Sequence, residues 1–235
     1  MKHWLQFVVW LVVSGIITIV VVFRYGFTDH LETRMLSRVN EQFEQLWFTP
    51  YGQLAGLRRD ENDLTVTRWA SQNATVEKKE RIDLAEYEPG PAGPVAVMRD
   101  VSLMAWATPK AVHIRTLGDA GKHHVLRAIP KNEEVRSLAF SETGRLAVLY
   151  KNGRLEVSGT GAGARPVAAD VEFKNAGPLV GAGSFIAAYT QSGHEAYVFD
   201  TRKEDRLAIV EYKRTPFRIE SLTLSASGRL ALGTD

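Results

Sequence analysis

The chain carries one passage twice, and that duplication limits what it can fold into. Residues 135–157 read VRSLAFSETGRLAVLYKNGRLEV, and residues 219–232 read IESLTLSASGRLAL. Ser137-Leu138 and Gly144-Arg145-Leu146-Ala147 return 84 positions later as Ser221-Leu222 and Gly228-Arg229-Leu230-Ala231. That shift is twice the roughly 42-residue period of a four-stranded repeat. The first copy predicts strands at Val135–Phe140, Arg145–Tyr150 and 154–157, turned by Ser141-Glu142-Thr143-Gly144 and by Asn152-Gly153. Asn-Gly between two such runs predicts a type I′ turn, with φ > 0 at both central residues. A sheet of this kind cannot bury both faces alone, so a stack of like sheets is expected.

The same grammar covers residues 51–235. Strands are predicted at 53–59 and 64–70, around the turn Asp60-Glu61-Asn62-Asp63, and at 75–84, a charged outer strand. The run from Glu88 to Pro94, EPGPAGP, joins two units. Further strands are predicted at 95–99, Leu103–Ala107, 112–117 and 124–129, then at 167–173 to close the duplicated unit. The rest follow at 179–181, Phe185–Thr190, Glu195–Asp200, 207–212, 217–224 and 228–234. Second strands thus begin near 53, 103, 145, 185 and 229.

This pattern resembles the WD-repeat and quinoprotein-like propeller superfamily. The resemblance rests on Ser221-Leu222, on Gly228-Arg229-Leu230-Ala231-Leu232 and their earlier copy, and on Tyr197-Val198-Phe199-Asp200. The last stands where WD repeats end in Trp-Asp. It implies a mainly β fold, a β-propeller with about four and a half blades within these residues. No blade carries the Gly-His pair of that family, and only one ends in an aromatic–Asp pair. The pattern breaks off in mid-blade, so a longer polypeptide is expected to supply the missing strands.

Residues 4–23 hold no charge, with only Gln6, Ser14 and Thr18 as polar side chains. Twenty residues at 1.5 Å rise span about 30 Å, the hydrocarbon thickness of a bilayer. No small-x-small cleavage site follows, so residues 1–27 are expected to stay as a membrane anchor, with Trp4, Trp10, Phe23 and Tyr25 placed for the interfaces. Residues 28–50 are expected to form a juxtamembrane amphipathic helix. Thr28 or Asp29 would cap it, and Leu31, Met35, Val39, Phe43 and Leu46 make its packing stripe. Arg24, Arg34 and Arg38 outnumber Lys2, which favours a cytoplasmic C-terminal side. The short N-terminal tail before a long domain is the arrangement of a signal anchor. An extracytoplasmic propeller, periplasmic in a bacterium, is therefore expected.

Chemistry is sparse. There is no cysteine, which removes thiolate ligands and nucleophiles, and a formal net charge of +2 argues for no nucleic-acid partner. Gly159-Thr160-Gly161-Ala162-Gly163-Ala164 matches G-x-G-x-x-A, but Arg165-Pro166 and a strand follow where the pyrophosphate-binding helix is required. His123 and His124 would point to opposite sides of a strand. With His113 and His194 assigned to other blades, all four read as surface or turn histidines. Ser141, Ser225 and Ser227 read as turn residues. Lys78-Lys79-Glu80-Arg81 reads as a solvated face, Asn73-Ala74-Thr75 as a formal glycosylation sequon, and Trp47, Trp69 and Trp106 as packing between blades. No catalytic residue, metal or cofactor is expected. The chain reads as a membrane-anchored, non-enzymatic propeller: a scaffold or accessory subunit whose partners are the lipid bilayer and other subunits of a membrane complex. The alternative is a sensor or substrate-binding ectodomain of a larger transporter or receptor.

Overall fold

A computed structural model describes residues 42–60, 63–70, 76–87, 93–118, 122–173, 175–190, 194–203 and 205–234. They build four four-stranded antiparallel sheets and a two-stranded one. The first holds β1 (Gln45–Phe48), β2 (Leu54–Asp60), β3 (Asp63–Trp69) and β4 (Val76–Asp83). The second holds β5 (Val95–Val97), β6 (Leu103–Ala107), β7 (Ala111–Thr116) and β8 (His123–Ala128). The third holds β9 (Val135–Phe140), β10 (Arg145–Tyr150), β11 (Leu155–Gly159) and β12 (Val167–Ala168). The fourth holds β13 (Val180–Ala182), β14 (Phe185–Thr190), β15 (Glu195–Asp200) and β16 (Ala208–Arg214), and the hairpin β17 (Ile219–Leu224) and β18 (Leu230–Thr234) comes last. In each four-stranded sheet, spatial order follows chain order. Second strands begin at Leu54, Leu103, Arg145, Phe185 and Leu230, within one residue of the repeat-derived positions.

The duplicated turns are duplicates in detail. Arg145 N–H donates to Ser141 Oγ (3.2 Å), and Ser141 and Thr143 share a hydroxyl bond (2.8 Å). In the second copy Arg229 N–H donates to Ser225 Oγ (3.0 Å), and Ser225 pairs with Ser227 (3.0 Å). Gly144 and Gly228 take the left-handed backbone, at φ 76° and 82°. These serines are turn residues, as expected.

Three expectations change. Gln45–Phe48 is a strand, not the end of an amphipathic helix, so the β region starts before residue 51. Its backbone pairs with β2, from Gln45↔Leu57 to Phe48↔Leu54, which satisfies polar groups that would otherwise lie idle on the β2 edge. Leu31, Met35, Val39 and the four anchor aromatics Trp4, Trp10, Phe23 and Tyr25 lie outside the described residues. Among the described residues no helix is long and apolar enough to cross a membrane. Second, the Asn152-Gly153 turn is not type I′. Only Gly153 has positive φ (94°), Gly153 N–H closes onto Tyr150 O, and Asn152 Oδ1 caps Arg154 N–H, as in a three-residue loop with a bulge. Third, the strand expected over 167–173 shrinks to Val167–Ala168, pairing only with Glu156 and Val157.

Packing is face to face. Leu57, Leu64, Val66 and Ile82 of the first sheet meet Met104, Trp106 and Leu117 of the second. Val112, Ile114 and Leu126 meet Leu138, Leu146 and Val148 of the third. Leu149, Leu155, Val157 and Phe173 meet Ile186 and Phe199 of the fourth, whose Ala187, Tyr189 and Val198 meet Ile219, Leu224 and Leu230. Each fully buried aliphatic side chain stabilises by about 1.5–3 kcal/mol, so the sheets hold one another. A charged cluster is set into the second of these interfaces. Glu156, 7% exposed, takes Arg127 from β8 and Arg154 (2.9 Å), while Arg154 also pairs with Glu133 and lies 4.4 Å from the centre of the Tyr150 ring.

Two predictions follow from this packing. A Cβ on Gly144 meets nothing within 4 Å, whereas one on Gly153 would lie 2.9–3.0 Å from the Phe173 backbone. Gly144→Ala should therefore cost about 1 kcal/mol, the left-handed penalty alone, and Gly153→Ala about 3 kcal/mol. Equal costs in urea unfolding would sink this account of the two turns. Glu156→Ala leaves Arg127 and Arg154 as like charges, one of them between sheets, and should cost about 3–5 kcal/mol. Arg127→Met should cost distinctly less, because Glu156 keeps Arg154. The order of the two melting temperatures checks it.

Candidate functional site

The first strands of neighbouring sheets lie side by side and enclose a cavity of about 670 Å³. Its wall comes from residues 44–47, Val95–Val97, residues 138–142 and 179–182, with Arg99 and Leu224 at the ends. The wall is short, apolar strand interrupted by a few polar groups. Small residues are needed here: a Cβ on Gly181 would lie 1.9 Å from Phe140 O, so β9 and β13 approach closely only because Gly181 has none. The charged residues of the lining are each paired. Glu44 accepts from Arg59 (2.9 Å), and Arg99 meets Glu142 (3.0 Å).

One mouth of this cavity is rimmed by the turns between first and second strands, and those turns are tied in series. Arg99 Nε donates to Phe48 O (3.1 Å), while Trp47 Nε1 donates back to Arg99 O (3.1 Å), joining the first turn to the second. The Arg99–Glu142 pair joins the second to the third. Glu142 N–H then donates to Gly183 O (2.6 Å), joining the third to the fourth. Gly183, at φ 56°, sits so close to the last hairpin that a Cβ would fall 2.2 Å from Ala226 O. Beside Arg99, Val101 holds φ 62°, rare for a β-branched residue. Its side chain, 5% exposed, is buried between the first two sheets, and that burial offsets the backbone cost.

The remaining sequence candidates resolve plainly. Phe43 and Leu46 come together over Gly56, whose Cβ would lie 2.8 Å from one and 2.9 Å from the other, and Phe43 meets Trp69 edge to face at 5.3 Å. They cover the first sheet as an apolar pair, but not from a helix. Trp106 packs between sheets one and two, Trp47 packs against that core, and Trp69 lies under Phe43. Residues 159–164 run from the end of β11 into a turn and on to β12, with no helix after them. Asp200 serves its own turn, taking Arg202 through both carboxylate oxygens (3.0 Å each). Glu80 is more than solvated surface, since it accepts from Gly118 N–H (2.6 Å) and lies 3.5 Å from Arg115.

The histidines need correction. His113 is 4% exposed and shares the second sheet with His123, so it is neither a surface nor a turn residue. His113 Nδ1 lies 3.1 Å from His123 Nε2. His124 points the other way, as alternation requires, and donates to Thr160 O (2.8 Å). In the β7–β8 register His123 pairs with Arg115 and His113 with Val125, so the two imidazoles meet diagonally on one face of the sheet, a juxtaposition that only the strand register reveals. Among the described residues no group of three or more His, Asp or Glu side chains could hold a metal ion.

Arg99→Ala should free β1 first. Deuterium uptake at the amides of Gln45–Phe48 should rise several-fold, matching about 1 kcal/mol of lost local stability, with β10 and β15 unchanged. Uniform uptake across all sheets would remove the serial rim as an explanation.

No protein-family model and no curated protein matches the chain. Among solved structures it is similar to the β-propeller domain of Cps50 (Swd1) from Myceliophteria thermophila, with a TM-score of 0.54 and 18% identity over 83% of this chain. The chain spans 62% of the length of that propeller. A second likeness is to a complex of KlAtg21 with the coiled coil of AgAtg16, with a TM-score of 0.47 and 12% identity, covering 74% of this chain and 71% of that one. At such identity the likeness speaks to architecture. The chain folds as a β-propeller.

Proposed function

We propose that this chain is a membrane-anchored, non-enzymatic propeller that serves as a scaffold or accessory subunit of a membrane protein complex. The observation that supports it most is the tied rim. Loops that bind partners need a rigid frame, and here the turns of four sheets are bonded to one another around one cavity mouth, with the turn of the last hairpin close against the fourth. Binding to such a surface costs little ordering entropy. The apolar run at residues 4–23 supplies the bilayer tether, and the chain passes from it into the first strand of the first sheet. Exposed Phe48 and Tyr51 stand on the first turn of the first sheet, where apolar contact area is available to a partner subunit.

The alternative draws on the cavity itself. About 670 Å³ lies within the range of small-molecule sites, and a mixed apolar and polar wall suits a ligand. In that reading the chain is the sensor or substrate-binding ectodomain of a larger membrane protein.

Carbonate washing of membranes separates the parts of the proposal. The full chain should stay in the pellet, and a chain lacking residues 1–27 should move to the supernatant yet still co-purify with the same subunits. Release of the full chain by carbonate removes the anchor. Purification from mild detergent with no stoichiometric partner removes the scaffold.

A further inference from the structure

Between the first two sheets lies a cluster of rings that a rigid scaffold does not require. Trp106 of β6, His113 of β7 and His123 of β8 stand on three successive strands, on the face turned toward the first sheet. Their ring centres form a triangle of 5.2, 5.3 and 5.5 Å, with planes within 24° of parallel. Tyr87, on the segment arriving from the first sheet, closes over it at 4.2 Å from His123 and 5.2 Å from Trp106. Tyr87 is fixed in turn by Arg115, which donates to its hydroxyl (2.8 Å).

The hydrogen bonds define the protonation this cluster accepts. Thr108 Oγ1 donates to Ala111 O (3.1 Å) and stands 3.4 Å from His113 Nε2. With that hydroxyl proton spent on a carbonyl, the network assigns Nε2–H of His113 as donor to Thr108. His113 Nδ1 is then the acceptor, and His123 Nε2–H donates to it. Both rings are neutral, one N–H lies between them, and the acid form of His113 would set two N–H groups against each other. An incoming proton is left with His123 Nδ1.

We propose that the His113–His123 pair of the second sheet, with Tyr87 closed over it from the first, forms a proton-sensitive latch between the two sheets, closed while both imidazoles are neutral and loosened when His123 takes up a proton. The surrounding charges decide the direction. Arg115 lies on the same face of the sheet. Glu80 of β4 is the carboxylate in reach, but Arg115 (3.5 Å) and Gly118 N–H (2.6 Å) already engage it. Lys78, on the same strand, lies over Gly118 and adds positive charge nearby, while His124 faces the third sheet. The faces of Tyr87 and Trp106 favour a cation, whereas burial and the Arg115 guanidinium oppose one. Consistent with this, burial first, then His124 and Arg115, hold His123 below the ordinary histidine value.

The sign follows from linkage. With the sheets apart, His123 titrates near 6.5; in the closed latch it titrates lower. The open state therefore binds more protons, and the latch is at full strength above about pH 6.5 and weakens as pH falls through the interval below it. Each unit of depression makes the latch up to tenfold weaker. Because the first sheet holds the first described strand, β1, acid would loosen the sheet that follows the N-terminal segment in sequence from the rest. The latch does not depend on that tether, and failure of the carbonate test would leave it standing.

Hydrogen exchange of the full chain in detergent, corrected for intrinsic rates, tests it. Protection of β6, β7 and the Tyr87 segment should fall about tenfold between pH 7.5 and 5, with β14 and β15 constant. His123→Gln keeps an N–H toward His113 and cannot titrate, so its protection should be flat over the same interval. Imidazole titration of the unaltered chain by NMR gives a second reading that needs no variant, with one histidine expected below 6.5. Constant protection in the unaltered chain, a pH response retained by His123→Gln, or His123 titrating at or above 6.5 would each overturn the latch.

Discussion

The burial of one sheet face against the next is the constraint on which everything else rests. A strand pair exposes two apolar faces, and a four-stranded sheet with Leu64 and Val66 on one side and Thr65 and Thr67 on the other cannot leave both in water. Stacking the sheets about a common axis solves this repeatedly with one local rule. That rule also puts the first strands, β5 and β13 among them, on the inside, where they wall the cavity. Site and fold are thus consequences of the same packing.

What the repeat disclosed and what it hid divide along a physical line. The strand ladder was legible because Gly144 and Gly228, 84 positions apart, mark the same turn in two copies of one passage, and Gly153 marks the turn that follows the first. The identity of β1 was not legible. Four residues, QLWF, are too few to show an alternation of period two, and Leu46 also continues a helical spacing with Phe43. What decides the matter lies far along the chain: the open edge of β2, the bare Cα of Gly56, and Arg99. Turn type at Asn152 was misjudged for a related reason, since the Asn side chain offered a local hydrogen bond to Arg154 that a two-residue turn would forgo. The cavity wall had no signature of its own, because it gathers short stretches from separate sheets, Trp47, Val97, Phe140 and Leu179 among them, that no motif in the sequence links. His113 looked unremarkable until strand pairing placed it beside His123.

The ring cluster and the charged cluster occupy successive interfaces and embody different solutions to burying polar groups. Around Glu156 two guanidiniums, Arg127 and Arg154, meet two carboxylates, Glu156 and Glu133, so charge is matched by opposite charge. Around His113 the groups are neutral and matched by a single shared proton. The first kind of interface is fixed; the second depends on its surroundings.

The antiparallel pairing of β1 with β2, seen mechanically, makes one further point. Load drawn along the axis of β1 must stretch all four residue pairs from Gln45↔Leu57 to Phe48↔Leu54 together, a shear geometry, rather than open them one at a time. Past β1 the load reaches Phe48 O and Trp47, both held through Arg99, and from there Glu142 and Gly183. Tension entering at β1 is therefore passed through the first four sheets instead of concentrated on the first.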